Sequence, residues 1–364
     1  MKFIKKLSRK IKIILQQPAV LKIQNNYDKT ELRNAKKLIV FLIPEKETVS
    51  GGLMSIFSLC KHSRLLVPEA CTLVCTYPKR YTYAKNTLFP NDENIWRFNQ
   101  LLENRNGEEL ILHLPEYIAD KFYDWLNEKQ KDFLARFKKV QINILNQNIE
   151  LMRDCEKWAS LFKITGCVTQ TTAHDRYATQ EICNQYRIPL HHFSVFIDAT
   201  VPCVAFDKKE KLIVFSPDKN PYTEQVRACI TEKLPDYRIV TIKDMTYTQY
   251  LTTIAKALIV LSFGEGFDGY FLQPVPVGSL GIAVYNEHFF PDAGWKELKN
   301  VYPSFETLME NLEKDVRFWE QNPIPYYDLI QANRQKQETI YSFDGFQDNL
   351  RRFYMEKYDF FPEK

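Results

Sequence analysis

The residues with most chemistry to offer lie in one stretch, Leu258–Asn286, which reads LIVLSFGEGFDGYFLQPVPVGSLGIAVYN. An apolar run that reads as a buried strand passes into Gly264-Glu265-Gly266-Phe267-Asp268-Gly269. Glycines at the end of a strand let a ligand approach the backbone, and a helix opening there offers its N–H groups and dipole to an anion such as a diphosphate. Formally the loop is also G-x-G-x-x-G, the dinucleotide fingerprint. Three features weigh against that reading: the position late in the chain, Pro274 and Pro276 in the segment that should be a helix, and the carboxylate of Glu265 where a pyrophosphate would approach. A second glycine pair, Gly51-Gly52, follows the apolar run Leu38–Ile43 and precedes an apolar helix of about ten residues. A third cluster, Asn146-Gln147-Asn148-Ile149-Glu150, follows the strand pattern VQINIL, and open sheets gather their ligands at such carboxyl ends.

The elements that must position these groups alternate along the chain. Short apolar strands are expected at 38–43, 72–76, 110–114 and 140–145, then in CVTQTT (167–172) and IPLHHFSV, with helical patterns between or after them. The longest of these patterns is YIADKFYDWLNEKQKDFLARF, read as helix. Residues 197–210 break the periodicity and read as a linker, after which LIVFSP, YRIVTI, ALIVLSF and IAVYN give a second set of strands with helices between them. The expectation is an α/β chain of two Rossmann-like parallel-sheet domains, with ligands at the carboxyl ends of the strands and a cleft between the halves. The last sixty residues read as mostly helical.

Composition supports a folded chain and removes several classes. Of 364 residues, 45% are hydrophobic and 14% aromatic, whereas disordered segments are poor in both. No apolar run reaches the roughly 18 residues of a membrane-spanning helix. The eight cysteines form no Cys-x-x-Cys pair, which argues against a zinc site and for free thiols in a reducing cytoplasm. The net charge of +4 hides an asymmetry: Lys2, Lys5, Lys6, Arg9, Lys10 and Lys12 sit in the first twelve residues with no acid among them, so the rest of the chain is slightly acidic. That distribution is not the basic face of a nucleic-acid binder. The head MKFIKKLSRKIKIIL puts Phe3, Ile4, Leu7, Ile11, Ile14 and Leu15 at helical spacing among the lysines. A helix over residues 1–15 could lie on an anionic membrane surface or pack on its own domain. No Gly-x-Ser-x-Gly elbow, His-Glu-x-x-His helix or Walker-type phosphate loop occurs.

The stretch from 258 to 286 resembles the donor-binding motif of GT-B glycosyltransferases, specifically the large retaining family that uses nucleotide sugars. Glu265-Gly266-Phe267 matches that family's Glu-Gly-Phe, Gly278 its later glycine, and Ile282–Asn286 its final strand. Where the family has a second glutamate this chain has Gln273, and Asp268 replaces a small residue. The resemblance implies that Glu265 is the catalytic-site carboxylate holding the donor sugar and that Gln273 faces the nucleotide ribose. It implies that Gly264, Gly266 and Phe267 shape the donor loop, that Gly51-Gly52 is a facing glycine loop, and that Lys219, just past the strand LIVFSP, meets the diphosphate. A carboxylate accepts two ribose hydroxyls, whereas Gln accepts through one oxygen and donates through its nitrogen, so ribose binding would be weaker or differently arranged. Asp268 could read a sugar hydroxyl or cap the loop. Backbone N–H groups would stabilise the growing charge of the leaving diphosphate without a metal.

The same resemblance implies an acceptor domain over residues 1–200, a donor domain over 201–340 and a C-terminal helix over 341–364 crossing back onto the first. The reaction would move a sugar from a nucleotide-sugar donor, itself a substrate rather than a cofactor, to a glycan or lipid-linked acceptor at the inner face of the cytoplasmic membrane, in surface polysaccharide synthesis. On the acceptor side the candidates are Gln147, Asn148 and Glu150, the last also suited to a helix start. Asp175, beside His174, reads as a helix cap, His113 as a core residue, and His191-His192 lacks companions at metal spacing. Two rivals remain: a nucleotide-sugar-binding protein whose motif has decayed, and a dinucleotide-dependent oxidoreductase using Gly264, Gly266 and Gly269.

Overall fold

Uninterrupted apolar runs such as KLIVFLI and ALIVL belong to strands covered on both faces, and they form the centres of two parallel sheets. The structure, a computed structural model, describes residues 15–196 and 201–363. Contacts divide the chain into two units, one holding residues up to 197 together with those from Phe343 onward, the other holding residues 198–342.

In the first unit the strands are β1 (Lys37–Ile43), β2 (Cys71–Thr76), β3 (Ile95–Arg97), β4 (Glu109–Pro115), β5 (Lys139–Asn146), β6 (Cys167–Thr172) and β7 (Leu190–His192). They lie in the order β3-β2-β1-β4-β5-β6-β7, all parallel. The order reverses between β1 and β4, which makes their carboxyl ends the switch point of this sheet. One face packs Leu38, Val40, Leu112, Ile142 and Val168 under Phe122, Phe133 and Trp158.

The other face is different at β4–β6. The alternation in VQINIL turns Gln141 and Asn143 to it, beside Thr169 and Thr171 of β6 and His113 of β4. These form a closed ladder: Gln141 Nε2 donates to Thr169 Oγ1 at 3.1 Å, Thr169 Oγ1 to Asn143 Oδ1 at 3.0 Å, and Asn143 Nδ2 to Thr171 Oγ1 at 2.9 Å. Residues Phe343–Tyr354, a helix, and the segment after it cover this ladder. Tyr354 Oη lies 3.3 Å from His113 Nε2 and donates to Ser63 Oγ at 2.7 Å, and Gln141 Nε2 donates to Tyr358 Oη at 3.0 Å. Buried polar groups are tolerated because nearly each has a partner.

The second unit holds β8 (Glu210–Phe215), β9 (Arg238–Thr241), β10 (Ala257–Leu261), β11 (Leu280–Val284) and β12 (Val301–Tyr302) in the order β12-β11-β10-β8-β9, again parallel. Its switch point falls between β8 and β10. Helices Phe305–Gln321 and Pro323–Ile340 bury Leu308, Leu312, Val316, Trp319, Tyr326 and Ile330 against the strands.

Three local expectations differ from the structure. The stretch 117–137 is not one helix: a 3-10 turn at Glu116–Ile118 and a short helix at Phe122–Trp125 precede a separate helix, Glu128–Ala135. Asn127 starts that last helix as a capping box with Gln130, accepting its N–H and the Gln130 side chain answering Asn127 N–H, so a new helix outcompetes continuation. Gly51 and Gly52 are not loop residues but the first turn of a 16-residue helix, Gly51–Leu66, whose cap is Ser50. Asp175 lies in a 3-10 turn, Asp175–Tyr177, and the helix Gln180–Tyr186 is capped by Thr179 instead. Residues 1–14, and with them nearly all of the basic head, lie outside the described residues. Among the described residues no helix is long and apolar enough to cross a membrane.

Candidate functional site

At the switch point of the second unit, the loops after β8 and β10 are stitched together. Ser216 Oγ accepts from Phe263 N at 2.9 Å, and Asn220 Nδ2 donates to Phe263 O at 3.0 Å. The chain then runs through Gly264 and Glu265, both exposed, to Gly266 at φ +82°. A Cβ on Gly266 would stand 2.7 Å from Val284 O, so the left-handed turn and the close approach to β11 both require glycine there. A Cβ on Gly264 would lie 3.0 Å from Asp218 Oδ2 and 3.3 Å from Asp268 Oδ2, which places this backbone between two carboxylates. Among the described residues, the amides of Gly264 and Gly266 donate to no backbone carbonyl.

Asp268 is the cap of the short helix Gly269–Leu272. Its Oδ1 accepts from Tyr270 N at 2.8 Å and Phe271 N at 3.2 Å, and Oδ2 accepts from Ser262 Oγ at 2.7 Å. Burial pushes its carboxyl up to about 6 and the charge of Asp218 adds to that, while the Ser262, Tyr270 and Phe271 hydrogen bonds pull it down. Of the two readings open for Asp268 in the sequence, these hydrogen bonds are those of a cap. Phe267 turns inward onto Phe290 and Trp295, at ring separations of 5.3 and 4.9 Å, and pins the loop to the core. Gln273 ends the short helix, half-buried, with its carboxamide against Gly269.

A cavity of roughly 380 Å³ opens on this loop, bounded by Ser262, Gly264, Gly266, Asn220, Lys296 and Phe305 among others. The Phe305 ring lies parallel to Tyr222 at 4.8 Å and to Phe263 at 6.0 Å. The Lys296 ammonium lies 4.2 Å from the Tyr285 ring centroid, so the cavity has one lysine at its mouth. Lys219 is exposed on the loop after β8, and its neighbour Asn220 is the residue that reaches the cavity.

The first unit gathers its own group at the carboxyl ends of β1, β4 and β5. Ser50 Oγ accepts from Leu53 N at 3.2 Å and starts the helix carrying Gly51 and Gly52. Gly51 faces open space, whereas Gln147 Nε2 donates to Gly52 O at 3.0 Å, so Gly52 and Gln147 meet. Asn148 Oδ1 accepts from Glu150 N at 3.0 Å as the cap of the turn Ile149–Leu151, and the Glu150 side chain is exposed. Beside them lies Glu116, 2% exposed, directly after β4. Its Oε2 accepts from Gln147 N at 3.4 Å, and burial pushes the carboxyl up to about 7 against the pull of nearby backbone amides.

Sequence reading does not single out Glu116, nor Asn220, Asp218 and Phe305, which come to the glycine loop from other parts of the chain. His113 is fully buried and stacks on Phe41 at 4.2 Å, with burial holding its imidazole down to about 3. His191 Nδ1 lies 2.8 Å from Asp359 and its Nε2 lies 2.7 Å from Asn349 O. Among the described residues no three His, Cys, Asp or Glu side chains group as metal ligands would.

No family model and no curated protein matches the chain. Solved structures similar to it include a UDP-GlcNAc 2-epimerase from Neisseria meningitidis bound to UDP-GlcNAc, at 8% identity over 88% of this chain and 99% of that one, with a TM-score of 0.48. The wall teichoic acid polymerase TagF gives 8% identity over 98% of both chains at a TM-score of 0.45. TarM from S. aureus, in complex with UDP among other ligands, gives 12% identity over 68% of this chain at a TM-score of 0.43, and this chain spans 55% of its length.

Proposed function

We propose that the chain is a GT-B glycosyltransferase that moves a sugar from a nucleotide diphosphate donor to a glycan or lipid-linked acceptor. One observation carries the reading: a cavity at the β8/β10 switch point is floored by a loop in which Gly266 admits no side chain. The motif that resembles the donor-binding segment of retaining enzymes lies in this same loop. In this reading the amides of Gly264 and Gly266 meet the diphosphate, Phe305 and its stacked neighbours offer a ring face to the base, and Lys296 supplies a positive charge. Glu265 holds the donor-sugar hydroxyls, and Lys219 and Gln273 stand at the edges of the donor. Asp268 acts on the donor only through the loop it caps.

The chemistry uses no metal in this reading. Donor, acceptor and chain supply every group: the sugar–phosphate bond breaks, the diphosphate leaves onto backbone N–H groups, the acceptor oxygen bonds to the sugar carbon, and its proton passes to the departing phosphate oxygen. We extend the proposal to a retaining outcome, to surface polysaccharide synthesis and to the inner face of the cytoplasmic membrane, with residues 1–15 as the membrane contact. Loss of liposome binding on removing residues 1–12 tests that last step, and unchanged binding removes it.

A second reading, a nucleotide-sugar-binding protein without turnover, is favoured by the carboxylates of Asp218 and Asp268 beside Gly264, where an incoming diphosphate meets negative charge. Thermal unfolding with a panel of nucleoside diphosphates and their sugars tests both, since a ligand that binds only the native state raises its midpoint. A shift with one base, followed by sugar transfer that Glu265→Ala lowers at least about a hundredfold, supports the transferase. A shift without transfer supports the second reading, and a shift only with a nicotinamide dinucleotide overturns both.

A further inference from the structure

A second cavity, of about 210 Å³, lies wholly within the first unit at the carboxyl ends of β2 and β3. Three cations line it, Lys79 and Arg80 just past β2 and Arg97 at the end of β3, and no carboxylate does. Other cations of the chain face carboxylates instead: Arg64 meets Glu93, Lys29 and Arg33 meet Glu103, and Arg317 meets Asp236. We infer that this cavity is an anion site for a phosphate or diphosphate group, independent of the donor pocket in the second unit.

The lining groups support it in detail. Arg97 Nε is buried and has no hydrogen-bond partner among the described residues, while its other guanidinium arm donates to Asn25 Oδ1. The acid whose charge Arg97 feels, Glu103, is already held by Lys29 at 2.8 Å and Arg33 at 2.7 Å. Burial costs Arg97 part of its hydration, which an incoming anion would restore. Arg80 is exposed beside it and Lys79 completes the group. Lys79 is shared: its Nζ lies 3.8 Å from Glu45 and 3.7 Å from the Trp125 ring centroid. Two guanidinium groups present the forked donors that phosphate oxygens take in pairs, which a carboxylate-sized or neutral ligand uses less fully. Pro78 and Phe98 give the cavity an apolar side, so the ligand carries its charge at one end.

The phosphate could belong to a soluble molecule or to a lipid headgroup, and two probes separate these sources. Inorganic pyrophosphate is titrated calorimetrically into the full chain, and flotation is measured with vesicles of phosphatidylcholine alone and of phosphatidylcholine with phosphatidic acid. A soluble source gives pyrophosphate binding without vesicle preference, and a lipid source gives phosphatidic-acid-dependent flotation. In either case Arg80→Gln with Arg97→Gln weakens the interaction at least about tenfold, and added salt weakens it further. Arg80→Gln alone leaves the Arg97–Asn25 bond in place and keeps the result readable if the double variant folds poorly. Lys296→Gln, in the second unit, controls for pyrophosphate entering the donor pocket. Binding of both probes that survives in the arginine variants, or that is lost only in Lys296→Gln, overturns the site. Because those variants leave the second unit untouched, nucleoside diphosphate binding there stands or falls separately.

Discussion

Each unit keeps a desolvated carboxyl at its switch point, and the two are held differently. Asp268 in the second unit accepts three hydrogen bonds of 2.7, 2.8 and 3.2 Å, all from its own loop and the strand end before it. Glu116 in the first unit is buried with a long contact, 3.4 Å from Gln147 N, and the pull of the Glu116, Gln147 and Asn148 backbone amides is outweighed by burial. The first carboxyl is spent on holding a shape. The second is desolvated and raised to about 7, so it can carry a proton near neutral pH, and buried groups of that kind gather where reactions occur. Burial alone therefore does not mark a functional acid; what the surroundings already ask of it does.

The largest effect should appear in the pH dependence of stability, where the two differ by window: Asp268 loses its contribution as the pH rises from 3.8 through about 6, Glu116 from 4.5 through about 7. Glu116 has a native value of about 7 against an ordinary 4.5, so the native state keeps a proton that the unfolded state has released. Its contribution is fully present below 4.5 and is lost as the pH rises through about 7. The loss is on the order of 3 kcal/mol, and Glu116→Gln should remove it, leaving denaturation midpoints flatter across that interval. An unchanged slope in the variant would mean that Glu116 is hydrated in solution and that the contrast with Asp268 fails.

A smaller effect is expected at Gly266. Gly266→Ala forces a side chain into a left-handed turn facing Val284 O, which should cost about 1–3 kcal/mol and loosen the donor loop. Chemical denaturation and nucleoside diphosphate titration read the two consequences together, and a neutral substitution would show the loop to be free to shift. Smallest is the cap. Asp268→Ala should cost about 1 kcal/mol, while Asp268→Asn, which retains an acceptor for the Tyr270 and Phe271 amides, costs less. Equal losses in both variants would assign Asp268 a role in its charge instead.

The parallel sheets were legible because their strands are short, apolar and bounded by glycine, proline or polar turns: β1, β5, β8 and β10 fall where LIVFLI, VQINIL, LIVF and ALIVL stand. The glycine loop was legible for a related reason, since the residue type itself announces the turn at Gly266. Asp218, Asn220 and Phe305 carry no such signal, because what brings them to the loop is the pairing of β10 with β8 and the packing of helix Phe305–Gln321, which no local pattern contains. Glu116 carries no local signal either, since one acid directly after a strand says nothing of the burial that the fold gives it. Arg80 and Arg97 stand 17 positions apart in unremarkable polar surroundings and acquire meaning only when β2 and β3 lie side by side.

The ladder of Gln141, Asn143, Thr169 and Thr171 finds its last partners in Tyr354 and Tyr358, beyond the whole of the second unit in sequence. On the ribosome this imposes a timetable. The first seven strands leave the exit tunnel long before their cover exists, and the amides and hydroxyls of β5 and β6 must wait in water while about 145 intervening residues are made. The second unit, contiguous in sequence, can finish folding in that interval. The first-born half of the chain is thus the last to be sealed, and a chain ended at Ser342 would hold a complete second unit and an open, protease-sensitive first one.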